Sequence, residues 1–205
     1  MPRVEQKVEP RAEQRPQQTS ATTGAAAALA PVSEKISFEN ALARTTTPEQ
    51  FCAEVSHAFG VRATEVALLR LEKGLLTFIY PNELKTAGSI PISSSSAVAV
   101  HTVLTRKVEL FNNFVKVKHV SVFETVKFAP VEEVGPAEQT PIQKLISAPI
   151  ADADLRVLGI LQVCRKAADL RTAGRDFTLD DLHLLEMAAK VAAKLEFMKS
   201  GSIQH

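Results

Sequence analysis

Apolar side chains follow no regular spacing before about Ser33 and clear helical and strand periods after it. The first 32 residues alternate Arg and Glu, then run through Gln, Thr and Ala, with Pro2, Pro10, Pro16 and Pro31 among them. Such a segment buries too little apolar surface to offset its conformational entropy, which predicts a disordered tail over 1–32. It reads either as a tether to a partner or as a neutral solvated extension. From 33 to 200 the pattern predicts a single α+β domain, with a flexible C-terminus over 201–205.

A short helix is expected near Ser37, carrying Phe38, Ala41 and Leu42. A stronger start follows. Thr47-Pro48-Glu49-Gln50 puts a hydroxyl at the N-cap, Pro at the first helical position and Gln three residues on. Phe51, Val55, Ala58 and Phe59 then share a face, and Gly60 is placed to end the helix. Glu65–Leu71 and Leu75–Tyr80 read as a hairpin across Glu72-Lys73-Gly74, stopped by Pro81. Ser89–Ile92 reads as a third strand. A helix through Val98, Val100, Val103 and Leu104 opens after Ser93–Ser96, and Val108–Phe111 reads as a strand. A short helix is expected at Val120–Val126 and a loop over 129–140. A second hairpin pairs Lys144–Ile150 with Leu155–Cys164 across 151–154. Gly159 inside its second strand marks a bulge or a close backbone approach.

The last helix starts at Thr178, with Asp181 in the reciprocal capping position. It is expected to run through Met198. On a helical wheel Leu182, Leu185, Ala189 and Ala192 form one stripe. Leu184, Ala188, Val191, Leu195 and Met198 form a second, and His183, Glu186, Lys190 and Lys194 fill the narrow polar remainder. The apolar arc is wider than the ~100° needed to dock on one surface. The second stripe has the spacing of a helix-pairing seam, which predicts a homodimer through those five residues. The other reading is that the chain's own helices cover the arc.

Composition narrows the function classes. Net charge is +1 over 205 residues, so no global field favours nucleic acid or an anionic membrane. The Lys and Arg between Arg106 and Lys127 are interrupted by Glu109 and Glu124 and read as a solvated face. No apolar run approaches the ~20 residues of a membrane span, and a cytoplasmic location is expected. Cys52 and Cys164 read as reduced, partly buried thiols. His57 and His119 have no carboxylate or cysteine at ligand spacing, and no metal site is expected.

Three stretches resemble the GAF domain, a small sensor module of bacterial signalling proteins and cyclic-nucleotide phosphodiesterases. Ser147-Ala148-Pro149-Ile150 followed by Val157-Leu158-Gly159-Ile160-Leu161-Gln162-Val163 is similar to its penultimate hairpin. Phe177-Thr178-Leu179-Asp180-Asp181 and Leu184-Leu185 are similar to its final helix. Ile90-Pro91-Ile92, the serine turn and Val98–Leu104 are similar to its middle segment. The resemblance spans about Thr47 to Lys199. It implies a central antiparallel sheet of about five or six strands. Terminal helices would pack on one face, and middle helices and loops would roof a pocket on the other.

The departures from the family limit the ligand. The cyclic-nucleotide pairs of the family are replaced by Cys164-Arg165 and Asp180-Asp181. Neither cysteine precedes a His, as a bilin site often requires, and two cysteines at opposite ends do not match the cluster of methionine-sulfoxide reductases. Cyclic nucleotide, haem and bilin are thus unsupported, and no cofactor is required. The candidate ligand residues are Ser94, Ser95 and Ser96, whose turn is suited to an anionic group or to plain helix capping. His101, Tyr80, Phe111 and Phe123 join them as pocket-lining residues that also suit a core. No catalytic constellation is present. The reading is a regulatory, small-molecule-sensing module in signalling, acting alone or through a partner protein. The alternatives are a ligand-free dimerisation module of the same fold and a thiol-dependent methionine-sulfoxide reductase.

Overall fold

A computed structural model describes residues 26–94, 96–116 and 140–199. Its six strands are β1 (Val66–Glu72), β2 (Leu75–Tyr80), β3 (Ser89–Pro91), β4 (Glu109–Phe111), β5 (Ile142–Ala151) and β6 (Val157–Lys166). They form one antiparallel sheet of order β3-β2-β1-β6-β5-β4. The period-2 alternation of the central strands sorts their side chains between two cores. Val66, Leu68, Leu161 and Val163 face a layer built from α1 (Ala26–Ala43), α2 (Pro48–Phe59) and α4 (Leu179–Ala192). Ala67, Leu69, Ile160 and Cys164 face the opposite layer, under α3 (Val98–Thr105).

Local chemistry explains most element ends. The Thr47 side chain accepts a hydrogen bond from the Gln50 N–H, Pro48 opens α2, and Gly60 closes it at φ 59°. At α4 the Thr178 hydroxyl accepts from the Asp181 N–H at 3.2 Å, while the Asp181 carboxylate accepts from the Thr178 N–H at 2.8 Å. Both matches to the sequence reading rest on contacts within four residues. Gly159 proves to be a close approach. A Cβ there would lie 2.1 Å from the Leu69 carbonyl oxygen and 2.8 Å from Met198 Cε.

Five expectations are corrected. Helix α1 begins at Ala26 rather than near Ser37, inside the stretch read as tail, because an alanine-rich run has high intrinsic helix propensity. The first hairpin turns on two residues, Lys73 and Gly74, both at positive φ, and Glu72 stays in the ladder opposite Leu75. The N-cap of α3 is Ala97 without a side-chain cap bond, so the serine run does not cap it. The C-terminal helix breaks at 193–195 before a final turn, α5 (Glu196–Lys199). That turn folds back on the sheet, where Met198 fills the notch at Gly159 and Arg70 donates to the Phe197 carbonyl at 3.3 Å. Finally, Ala188, Val191 and Met198 of the expected dimer seam are buried in this chain's own core. Leu184 and Leu195 are left half-buried at its edge. Helix α1 supplies much of the cover that a second copy was expected to give. The helix read at Val120–Val126 lies outside the described residues, as do the 129–139 part of the loop and residues 1–25 of the tail.

Candidate functional site

The layer under α3 carries a buried polar chain. Ser147 and Gln162 sit directly opposite each other on β5 and β6, and both are essentially inaccessible. Gln162 Nε2 donates to Ser147 Oγ at 3.0 Å. Having accepted, Ser147 Oγ donates to Thr102 Oγ1 on α3, 2.9 Å away. The Thr102 hydroxyl then donates to Glu109 Oε2 on β4 at 2.9 Å, in competition with the Val98 carbonyl at 3.0 Å. His101 Nδ1 lies 2.6 Å from Glu109 Oε1 and, against a carboxylate, acts as the donor. All these dipoles point at Glu109, and such aligned chains polarise one another. They tie α3 to three strands.

One amide atom is left over. Gln162 Oε1 is buried and has no hydrogen-bond partner among the described residues. Turning the amide over only exchanges which of its two atoms is unpaired. Buried polar atoms are seldom left so, since each costs about 1–3 kcal/mol.

The residues singled out from sequence are only partly brought together. His101 joins the polar chain, and Phe111 packs edge-on to Phe114 at 6.0 Å beneath the same layer. Ser94 and Ser96 lie before the opposite end of α3, where the Ser94 N–H is used by the Pro91 carbonyl. Tyr80 packs against the other layer, and burial pushes its phenol pKa up. Ser95 and Phe123 lie outside the described residues. Thr102, Glu109, Ser147 and Gln162 were missed. Their signal was a polar residue at an inward position of an apolar element.

On the other side of the sheet an open groove of about 680 Å³ runs between α1, α2 and α4, past Phe38, Ala41, Ala58 and Leu184. The two thiols are fully buried on opposite faces of the sheet. Burial, then the nearby Glu49 carboxylate, raises the Cys52 thiol pKa well above its usual value. Among the described residues no group of three His, Cys, Asp or Glu side chains is placed to hold a metal ion, and no helix is long and apolar enough to cross a membrane.

The family model for the GAF domain matches residues 45–195. This chain belongs to the GAF domain family. The GAF domain of a phosphoenolpyruvate-protein phosphotransferase from Acinetobacter is 12% identical, with a TM-score of 0.59 over 85% of this chain and 97% of that one. The free methionine-R-sulfoxide reductase from Neisseria meningitidis, solved with its substrate, is 15% identical, with a TM-score of 0.54 over 93% and 100%. The GAF domain of the phosphoenolpyruvate-protein phosphotransferase from Coxiella burnetii is 10% identical, with a TM-score of 0.52 over 88% and 100%. At such identities the likeness is one of fold. A comparison with curated protein sequences finds no match. The six-stranded antiparallel sheet with helices on both sides is the family's architecture. The fold is that of a GAF-type regulatory domain, and it also carries a reductase, so fold alone does not set the activity.

Proposed function

We propose that this GAF domain is a regulatory module in signalling that senses a small polar molecule beneath α3. The observation that carries this reading is the unpaired amide atom of buried Gln162. A ligand that hydrogen-bonds it supplies an interaction that no described residue makes. The same ligand would bear on α3, because Gln162 reaches Thr102 through Ser147. Recognition therefore shifts from the Ser94–Ser96 turn to the middle of the helix. The buried, separated thiols give no support to a thiol reductase.

The test is a thermal-shift panel of nucleotides, amino acids, haem and bilin against the parent protein and Gln162→Leu. A ligand at 100 times its Kd stabilises the native state by about 2.7 kcal/mol. The expected result is a rise of several degrees with one compound class, lost in the variant. An equal rise in both proteins excludes Gln162 as the recognition group.

A ligand-free dimerisation module is the second reading, favoured by the open apolar groove beside Leu184. Light scattering decides it. A dimer that Leu184→Glu converts to monomer, in a protein no compound stabilises, replaces the first reading with the second.

A further inference from the structure

The direction of the polar chain fixes which end of the Gln162 amide is spare. The Thr102 hydroxyl lies 3.0 Å from the Val98 carbonyl and 2.9 Å from Glu109 Oε2, and a carbonyl and a carboxylate only accept. Its single hydrogen is therefore spent on that side. Ser147 Oγ, 2.9 Å away, must then donate to Thr102. With its own hydrogen spent, Ser147 can only accept from the amide atom 3.0 Å away, which is therefore Nε2. Turned over, the amide would set its oxygen against a hydroxyl oxygen with no hydrogen between them. The atom without a partner among the described residues is thus Oε1, an acceptor.

The side chains beside Gln162 explain why Oε1 is left over. Ser147 stands opposite it on β5 and Ala67 opposite it on β1, and Ala67 offers only a methyl group. Leu69, Leu145 and Ile160 are buried on the same face of the sheet. A carboxylate or phosphate brought against Oε1 would set lone pair against lone pair. An ammonium would supply hydrogens, but it would bury a charge in an apolar layer at far greater cost than an uncharged N–H.

We infer, resting on the sensing role proposed above, that the sensed molecule places an uncharged N–H donor against Gln162 Oε1. A primary carboxamide and the exocyclic amine of a heterocycle have this chemistry. Any anionic part of the molecule lies away from Gln162. The same contact sets specificity, because an analogue lacking the hydrogen leaves a buried polar atom unpaired.

Amide proton–nitrogen NMR of the full chain, including the Gln162 side-chain amide, tests this with two matched sets of probes. Benzamide is compared with N,N-dimethylbenzamide and benzoate, and 9-methyladenine with 9-methylpurine. The expected result is saturable shifts at Gln162, Ser147 and α3 with at least one donor-bearing probe. Its matched compounds, which lack the N–H, should bind about tenfold more weakly or worse, a factor equivalent to about 1.4 kcal/mol. Gln162→Leu should abolish that preference. A matched compound that binds as tightly, or a preference that Gln162→Leu leaves intact, overturns the donor assignment. Silence from both donor probes overturns it as well. In each case the sensing role stands if the thermal-shift panel holds a compound whose effect needs Gln162, and falls if it holds none. Should Gln162→Leu fail to fold, the matched probes in the parent protein decide alone.

Discussion

The hydroxyls of Thr102 on α3 and Ser147 on β5 lie 2.9 Å apart in a region closed to solvent. Each relies on the other, because Ser147 donates its hydrogen bond to Thr102 and accepts one from Gln162. Thr102→Val is expected to cost about 1–3 kcal/mol, since it leaves the Ser147 proton without an acceptor. Ser147→Ala should cost a similar amount. The double variant should fall short of the sum by about 0.5–3 kcal/mol, as residues in one network do. Urea unfolding of the four proteins measures this, and strict additivity would show that the chain is not coupled.

Gly159→Ala is expected to be the most damaging single-methyl change in the sheet. The added carbon would collide with the Leu69 carbonyl, which belongs to the neighbouring strand and cannot swing aside. A loss of about 3 kcal/mol or more is predicted, at the upper end of overpacking effects. Denaturant midpoints check it, and a loss below 1 kcal/mol would mean that β1 and β6 can separate cheaply.

Acid sensitivity should come from Asp181 and Glu65. Burial raises both carboxyls, but more than offsetting bonds hold them low. Those bonds come from Arg175 and Thr178 for Asp181, and from Arg62 and the Lys166 N–H for Glu65. Their folded pKa values lie below 3.8 and 4.5, so the unfolded chain takes up protons first as pH falls. Stability is expected to be level above about pH 5. It should drop as pH passes through those values and then through the lower folded ones. Asp181→Asn should flatten part of that slope in melts recorded from pH 6 to 3. An unchanged slope would assign the acid response elsewhere.

Neither thiol should react with an aromatic disulfide reagent at pH 8 until the protein unfolds. Cys52 and Cys164 are inaccessible, and thiolate formation at Cys52 is suppressed. Two fast equivalents of labelling in the native state would refute this. The Cys52→Ser, Cys164→Ser protein should keep any ligand-induced thermal shift.

Thr47, Gly60, Thr178 and Gly159 were readable because each acts within a few residues or through the absence of a side chain. The polar chain under α3 was not, because Thr102 and Ser147 are 45 positions apart and neither looks unusual in its own element. The seam on α4 misled for another reason. Apolar spacing reports that a helix face is covered, and not by what. Ala188 and Val191 are covered from within. Helix α1 was underestimated because its early residues are alanines, which show a helical preference but no amphipathic period.

The break at 193–195 changes how force travels through the molecule. A single straight helix would act as a rod, passing a push at α4 directly along its axis. Here α4 ends in a hydrogen-bonded turn, and α5 is a clasp hooked onto the sheet by Met198 at Gly159 and by Phe197 at Arg70. Any displacement of α4 would therefore load that clasp before it reached the rest of the sheet. The same two strands, β1 and β6, hold the clasp on one side, and β6 carries Gln162 on the other.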